Sequence, residues 1–201
     1  MTQPTRLHLG CFDRIVSGWL NTDITPHLWI ARIPLLPRLV HAAGMMSPER
    51  LEQHRRGIFR NVHYLDVRKR FPYPDSTFEA AFSSHFLEHL FPDDARHCLS
   101  EVHRVLRPGG ICRIVVPDLD LIVSRYDPST TEPFLRMIFE EPGAATKNAH
   151  HWHYNALSLT EALRQTGFRE AYRCAYREGS CPDLELLDNR PEDSLYVEGI
   201  K

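Results

Sequence analysis

No apolar run in these 201 residues is long and clean enough to cross a bilayer. The richest stretch, LWIARIPLLPRLVHAAGMM at 28–46, is broken by Arg32, Pro34, Pro37, Arg38 and His41. It reads either as cover for the core, through Leu28, Ile33, Leu35, Leu36 and Leu39, or as a lid-like segment capable of peripheral membrane contact. Charge of one sign is also missing. With 24 basic and 26 acidic residues and a formal net charge of -2, a nucleic-acid-wrapping surface is not expected. The five cysteines, at 11, 98, 112, 174 and 181, form an odd set without a CxxC pair. That excludes a disulfide framework and a zinc ribbon, and fits a reducing, cytoplasmic compartment. The opening MTQPTRLHLG has no apolar leader core, so no secretory signal is expected. There is no internal repeat and no low-complexity tract.

What is present is an alternation of short strands and helices. Strand patterns fall at 7–10, 19–23, 62–65, 80–83, 111–116, 171–176 and 195–200. The run ICRIVV at 111–116 is continuously apolar apart from Arg113 and Cys112, which predicts a central strand buried on both faces. Helical patterns fall at 48–60 behind Ser47 as N-cap, at 92–106 on a 3.6-residue period, and from Ser158 to a stop at Gly167. RPGG at 107–110 predicts a helix stop and a turn into the central strand. The alternation predicts one α/β domain over 1–201 with a mostly parallel sheet, and an insertion at 126–148. Ligands of such sheets bind beyond the carboxyl ends of the strands. The residues to watch are therefore 10–12, Asp23, Asp66, 83–88 and 117–120.

Four stretches carry a family resemblance: LHLGC with WLNTDI, YLDVRKRFPYPDSTFEAAFSSHFLEHL, LSEVHRVLRPGGICRIVVPDLD, and the tail from LTEALRQTGF to SLYVEGIK. On these the chain resembles the class I S-adenosylmethionine-dependent methyltransferases, nearest to small bacterial members of the methyltransferase type 11 kind. The resemblance implies a Rossmann-like, doubly wound sheet of about seven strands with an antiparallel last strand. It also implies S-adenosyl-L-methionine as cofactor, lying over Gly10, Cys11, Phe12, Asp23, Asp66, Val67, Ser83 and Ser84, and a small-molecule or glycan acceptor. Asp23 matches the acid that accepts the ribose hydroxyls, against a surface or capping aspartate. Asp66 matches the acid at the adenine amino group, against a turn cap ahead of Arg68 and Lys69.

His85 is the candidate general base, with Glu88 and His89 beside it, although LEHL also reads as the start of a helix with its polar side in water. His89, Asp118, His151, His153 and Tyr154 are candidate acceptor contacts; for the AHHWHYN run the competing reading is a packed aromatic corner. No metal site is expected, because His150, His151 and His153 crowd three ligands into four residues. Asp188 and Arg190 read as a surface charge pair.

Two departures stand against the cofactor. Only eight residues, Cys11 to Gly18, separate the first two strands, so the usual helix there must be a single turn or absent. Phe12 stands where glycine lets backbone touch ligand, and obstructs the methionine moiety unless its ring turns away. A protein of the same fold with weak or no cofactor binding, acting as a binding or scaffolding partner, is the alternative.

Overall fold

The computed structural model describes residues 4–139 and 149–201. Seven strands, β1 Arg6–Leu9, β2 Leu20–Asp23, β3 His63–Tyr64, β4 Phe78–Ser84, β5 Leu106–Pro117, β6 Glu170–Cys174 and β7 Ser194–Ile200, share one sheet in the order β3-β2-β1-β4-β5-β7-β6. The pairs β1–β2, β1–β4, β2–β3 and β4–β5 are parallel, while β7 lies antiparallel between β5 and β6. This is the expected topology, with the antiparallel strand last in the chain.

The connection from β1 to β2 contains no helix, as its length requires. Asn21 holds it instead: its Oδ1 accepts the Val16 N–H and its amide donates to the Val16 and Trp19 carbonyls, each at 3.0 Å. One buried side chain thus satisfies backbone groups that a helix would have paired internally.

The sheet's two faces are covered differently. On one, Leu7, Leu9, Ala81, Cys112, Ile114 and Val116 pack with α4 Pro92–Val105 and α7 Ala156–Gln165, which contribute Cys98, Leu99, Val102, Leu159 and Leu163. On the other, Ala80, Phe82 and Val115 meet Val16, Trp19, Cys181 and Leu187, which come from connecting segments and the four-residue helix Leu184–Leu187. A third cluster of Cys11, Leu28, Ala31, Phe59 and Val62 closes the end of the sheet near β1 and β2.

Several local expectations are corrected. Helix α3, Pro48–Arg55, starts behind Ser47, whose Oγ accepts the Arg50 N–H, but Gly57 at φ 73° breaks it before a separate 3₁₀ turn, Ile58–Asn61. Helix α7 begins at Ala156 under an Asn155 cap; Ser158 is the third helical residue and returns a reciprocal bond. RPGG lies inside β5: the register jumps from Phe78↔Leu106 to Ala80↔Ile111, leaving 107–110 as a bulge. The bulge needs Gly109 at φ 77° and Gly110, where a Cβ would stand 2.8 Å from the Arg107 carbonyl.

In the 28–46 segment, α1 His27–Ile30 and α2 Leu36–Ala42 leave Ile33, Leu35 and Leu39 exposed and Leu36 half-buried, so of the four leucines and one isoleucine expected in the core only Leu28 is buried there. The insertion follows α5 Leu119–Ser124 and contains α6 Thr131–Phe139; residues 140–148 of it lie outside the described residues.

Asp188 is not at the surface. It is buried and grips Arg113 through two bonds, Nε to Oδ1 at 3.0 Å and Nη2 to Oδ2 at 2.5 Å, while Arg113 Nη1 reaches Glu198 Oε1 at 2.8 Å. Arg190 remains exposed.

Candidate functional site

Strand alternation decides which side chains meet at the carboxyl ends of β1, β2 and β4. Gly10 follows β1 at φ 61°, and a Cβ there would stand 2.3 Å from the ring of Phe86. The side chain lying over Gly10 is therefore that of Phe86. Phe12 takes the left-handed conformation at φ 46°, but its ring runs edge-on to Phe59 and His27, with centroids 6.3 and 6.4 Å away. The Arg50 guanidinium covers it at 4.3 Å. Arg50 is itself fixed by Asp13 at 2.9 Å and Gln53 at 2.6 Å. The expected obstruction by Phe12 is thus not found over Gly10; the aromatic ring there comes from a residue the sequence reading passed over.

At the end of β2 the half-buried Asp23 accepts the Phe12 N–H on Oδ2 at 3.0 Å and the Thr25 N–H on Oδ1 at 2.6 Å. Burial raises its carboxyl above the ordinary carboxylate range, against the pull of these backbone donors. Each oxygen has a second lone pair for a ligand hydroxyl. Cys11 is buried and its thiol is pushed up by desolvation, so it forms wall rather than nucleophile.

After β3, Asp66 is buried against the bidentate guanidinium of Arg68, at 2.8 and 3.0 Å, which holds its carboxyl below the usual range. It also accepts the Arg68 N–H at 3.2 Å, so the turn-capping reading describes its contacts within the chain. Val67 is buried beside it.

After β4 the polar residues converge. Ser83 is buried, its hydroxyl without a hydrogen-bond partner among the described residues, and Ser84 is half-buried. His85 sits at φ 47°, its Nε2 2.8 Å from Ser194 Oγ and its Nδ1 3.4 Å from Glu88 Oε1. The 3₁₀ turn Leu87–His89 then carries Glu88 to full burial, so LEHL does not present that carboxylate to water. His89 Nδ1 lies 3.2 Å from the Ala149 carbonyl. A cavity of about 260 Å³ opens here, with His85, Glu88, His89, His150, Arg125 and Arg190 among its lining.

The other acceptor candidates separate. Asp118 is buried, caps helix α5 Leu119–Ser124 through the Asp120 N–H at 3.1 Å, and pairs with Arg173 at 3.0 Å. Its carboxylate is spent on structure. Tyr154 is buried in the core, its hydroxyl pushed up to about 12 by desolvation, and borders a different groove between α4 and α7. His151 stacks on Phe91 at 4.2 Å, and His153 Nε2 donates to the Ile138 carbonyl at 2.6 Å. Of the AHHWHYN run, His150 joins the cavity; His151 and Tyr154 match the packed-corner reading.

The fold has counterparts among solved structures. An Archaeoglobus fulgidus S-adenosylmethionine-dependent methyltransferase matches 98% of this chain and 85% of its own at TM-score 0.54 and 16% identity. A structure described as PigF with S-adenosylhomocysteine matches 98% of this chain and 49% of its own at TM-score 0.51 and 12% identity. This is the class I S-adenosylmethionine-dependent methyltransferase fold. A family model described as a methyltransferase domain matches residues 40–114 of this chain. Among curated proteins, the O-methyltransferase resE of Aspergillus sclerotiorum is 30% identical over 128 residues. That match covers 64% of this chain and 42% of the relative, so the chain spans less than half of the relative's length.

Within the methyltransferase fold, sequence reasoning missed Phe86 and the joining of His150 to Glu88 and His89. Phe86 lies in the SSHFLEHL run, but its ring meets Gly10 only in the folded chain. His150 was weighed with its neighbours in sequence, and its partners lie 61 and 62 residues upstream of it.

Proposed function

We propose that the chain transfers the methyl group of S-adenosylmethionine to a small-molecule or glycan hydroxyl. The observation that carries this reading is Asp23: a half-buried carboxylate at the end of β2, fixed by two backbone donors, with lone pairs left for the two ribose hydroxyls. The fold, and the O-methyltransferase name of the curated relative, support the same reaction class.

The residues present fit the cofactor's nucleoside end well. Asp23 takes the ribose, Asp66 and Val67 border the adenine, and Gly10 and Cys11 supply backbone rather than bulk. Toward the methionine end, Ser83 offers a buried hydroxyl that lacks a partner among the described residues, and Phe86 over Gly10 narrows the approach. The sulfonium, when bound, supplies an already activated methyl, so this chain's task is positioning and exclusion of water. In this reading His85, whose Nε2 lies 2.8 Å from Ser194 Oγ, takes the acceptor's proton. The cavity beyond it, lined by Arg125 and Arg190, suits an oxygen-rich acceptor. The five cysteines are free, in keeping with a reducing, cytoplasmic compartment.

The test is to incubate the chain with methyl-labelled S-adenosylmethionine and a panel of hydroxylated small molecules and sugars. One added methyl on an acceptor, lost in Asp23→Ala and reduced at least tenfold in His85→Ala, is expected. Cofactor binding without transfer to any hydroxyl would remove the acceptor class.

A second property is favoured by one observation. Trp29, Ile33, Leu35, Leu39 and Met45 are all exposed in the 28–46 segment, near Arg32 and Arg38. No helix among the described residues is long and apolar enough to cross a membrane. Peripheral contact with a lipid surface predicts co-sedimentation with anionic vesicles that Trp29→Ser with Leu39→Ser abolishes; unchanged sedimentation would dismiss it.

A further inference from the structure

We propose that Glu88, His89 and His150 hold a divalent transition-metal ion of the zinc class at the wall of the His85 cavity. The three residues each offer a ligand atom, and these atoms lie within 4.8 Å of one another. They come from separate parts of the chain, the 3₁₀ turn after β4 and the segment ahead of α7, so their meeting is a product of the fold and not of local sequence.

Glu88 carries the argument. Its side chain is 1% exposed, and among the described residues neither carboxylate oxygen has a hydrogen-bond partner. His85 Nδ1 lies 3.4 Å from Glu88 Oε1. A carboxylate buried without donors costs several kcal/mol, about as much as a broken buried ion pair, and proteins tolerate such a group where a cation meets it. The buried oxygens face two imidazoles, which are metal ligands when neutral.

Backbone groups orient the ligand-bearing segments as well. The His89 Nδ1 donates to the Ala149 carbonyl at 3.2 Å, which leaves Nε2 as the lone-pair nitrogen. The main-chain carbonyl of Glu88 accepts the N–H groups of His151 and Trp152, at 2.8 and 3.1 Å, and so ties the two ligand-bearing segments together beside His150.

Donor chemistry selects the ion. Two nitrogens and one carboxylate suit zinc, cobalt(II), iron(II) or manganese(II), whereas magnesium and calcium favour oxygen ligands. Bonds of about 2.1 Å in a tetrahedron put donors roughly 3.4 Å apart, so modest side-chain torsions complete the site. Three protein ligands leave a position open toward the cavity, as in sites where the metal also binds a small molecule. The sequence expectation of no metal site weighed His150 with His151 and His153, which the fold directs to Phe91 and the Ile138 carbonyl.

Metal binding is read independently of methyl transfer, so either can fail alone. The untagged full chain is stripped with chelator and titrated with cobalt(II), followed by visible absorption, with zinc and magnesium as competitors. One equivalent of cobalt(II) is expected, with ligand-field bands, no thiolate charge-transfer band, displacement by zinc and no displacement by equimolar magnesium. Glu88→Gln and His150→Ala weaken binding at least tenfold, while His151→Ala stays within threefold; far-UV circular dichroism confirms that each variant is folded. No stoichiometric binding by the wild type, equal competition by magnesium, or binding that survives both Glu88→Gln and His150→Ala would overturn the site. Should one of these variants fail to fold, His89→Gln is read in its place.

Discussion

The backbone N–H of Phe12 donates to Asp23 Oδ2 at 3.0 Å, so the turn after β1 is clamped by the acid that ends β2. The bond uses only the backbone of Phe12. Its ring is a separate matter, lodged against Phe59 and His27 under Arg50.

It follows that Phe12→Gly keeps the clamp. The variant relieves a left-handed phenylalanine at φ 46° and loses the ring's packing, two effects of opposite sign and of about 1 kcal/mol each. Affinity for S-adenosylhomocysteine is expected to change less than threefold, as measured by calorimetry. A rise of tenfold or more would show that the ring obstructs the cofactor after all.

Gly10→Ala is expected to be far less benign. A Cβ would stand 2.3 Å from the Phe86 ring, and φ 61° disfavours any side chain. The combined cost is roughly 2–4 kcal/mol of unfolding free energy, measured by urea denaturation. The Gly10→Ala, Phe86→Ala pair should cost less than the two single changes added together, because the ring clash disappears while the backbone term stays. Strict additivity would mean that Phe86 does not lie on Gly10.

Arg113 and its two carboxylates predict a large structural effect away from the site. Arg113 is fully buried, so Arg113→Ala strands Asp188 and Glu198 without their cation, at a cost of about 3–5 kcal/mol. Chemical denaturation of this variant and of Asp188→Asn checks it. A loss below 1 kcal/mol in Arg113→Ala would contradict the burial of the cluster.

Acid should destabilise the protein through His8 and His54. Burial lowers each to about 4 from an ordinary 6.5. The unfolded chain therefore binds more protons than the folded one between these values, and stability rises with pH across the window, levelling above 6.5. For His8, which is buried and bonded to Asn21 Oδ1 at 3.0 Å, the loss by pH 4 is on the order of 3 kcal/mol. Denaturation curves from pH 7 to 4 should show this fall, and His54→Gln should make it shallower. A flat profile would mean that neither imidazole is held neutral.

These residues also show what a sequence can and cannot disclose. The alternation of strands and helices, the Ser47 cap and the missing helix between β1 and β2 were legible, because each depends on neighbours in the chain. Asp188 was misread because its partner sits 75 residues away, inside a strand whose apolar pattern gives no reason to look for an ion pair. RPGG was read correctly as glycine-dependent, yet whether such a turn stands before a strand or bulges within it is decided by pairing with β4. At the site, Asp23 could be picked out by its place at a strand end. Asp118 has the same kind of place, but Arg173 and the α5 cap claim it, and no local pattern distinguishes the two acids. Glu88 was legible as a polar residue near His85; that it is buried without donors is a property of packing alone.

Calorimetric titration of S-adenosylhomocysteine into the wild-type chain and Asp23→Ala tests the central claim most directly. The account predicts one site per chain in the wild type, and affinity reduced at least tenfold in Asp23→Ala at an unchanged fold. Absence of binding by the wild type, or equal binding by both proteins, would contradict it.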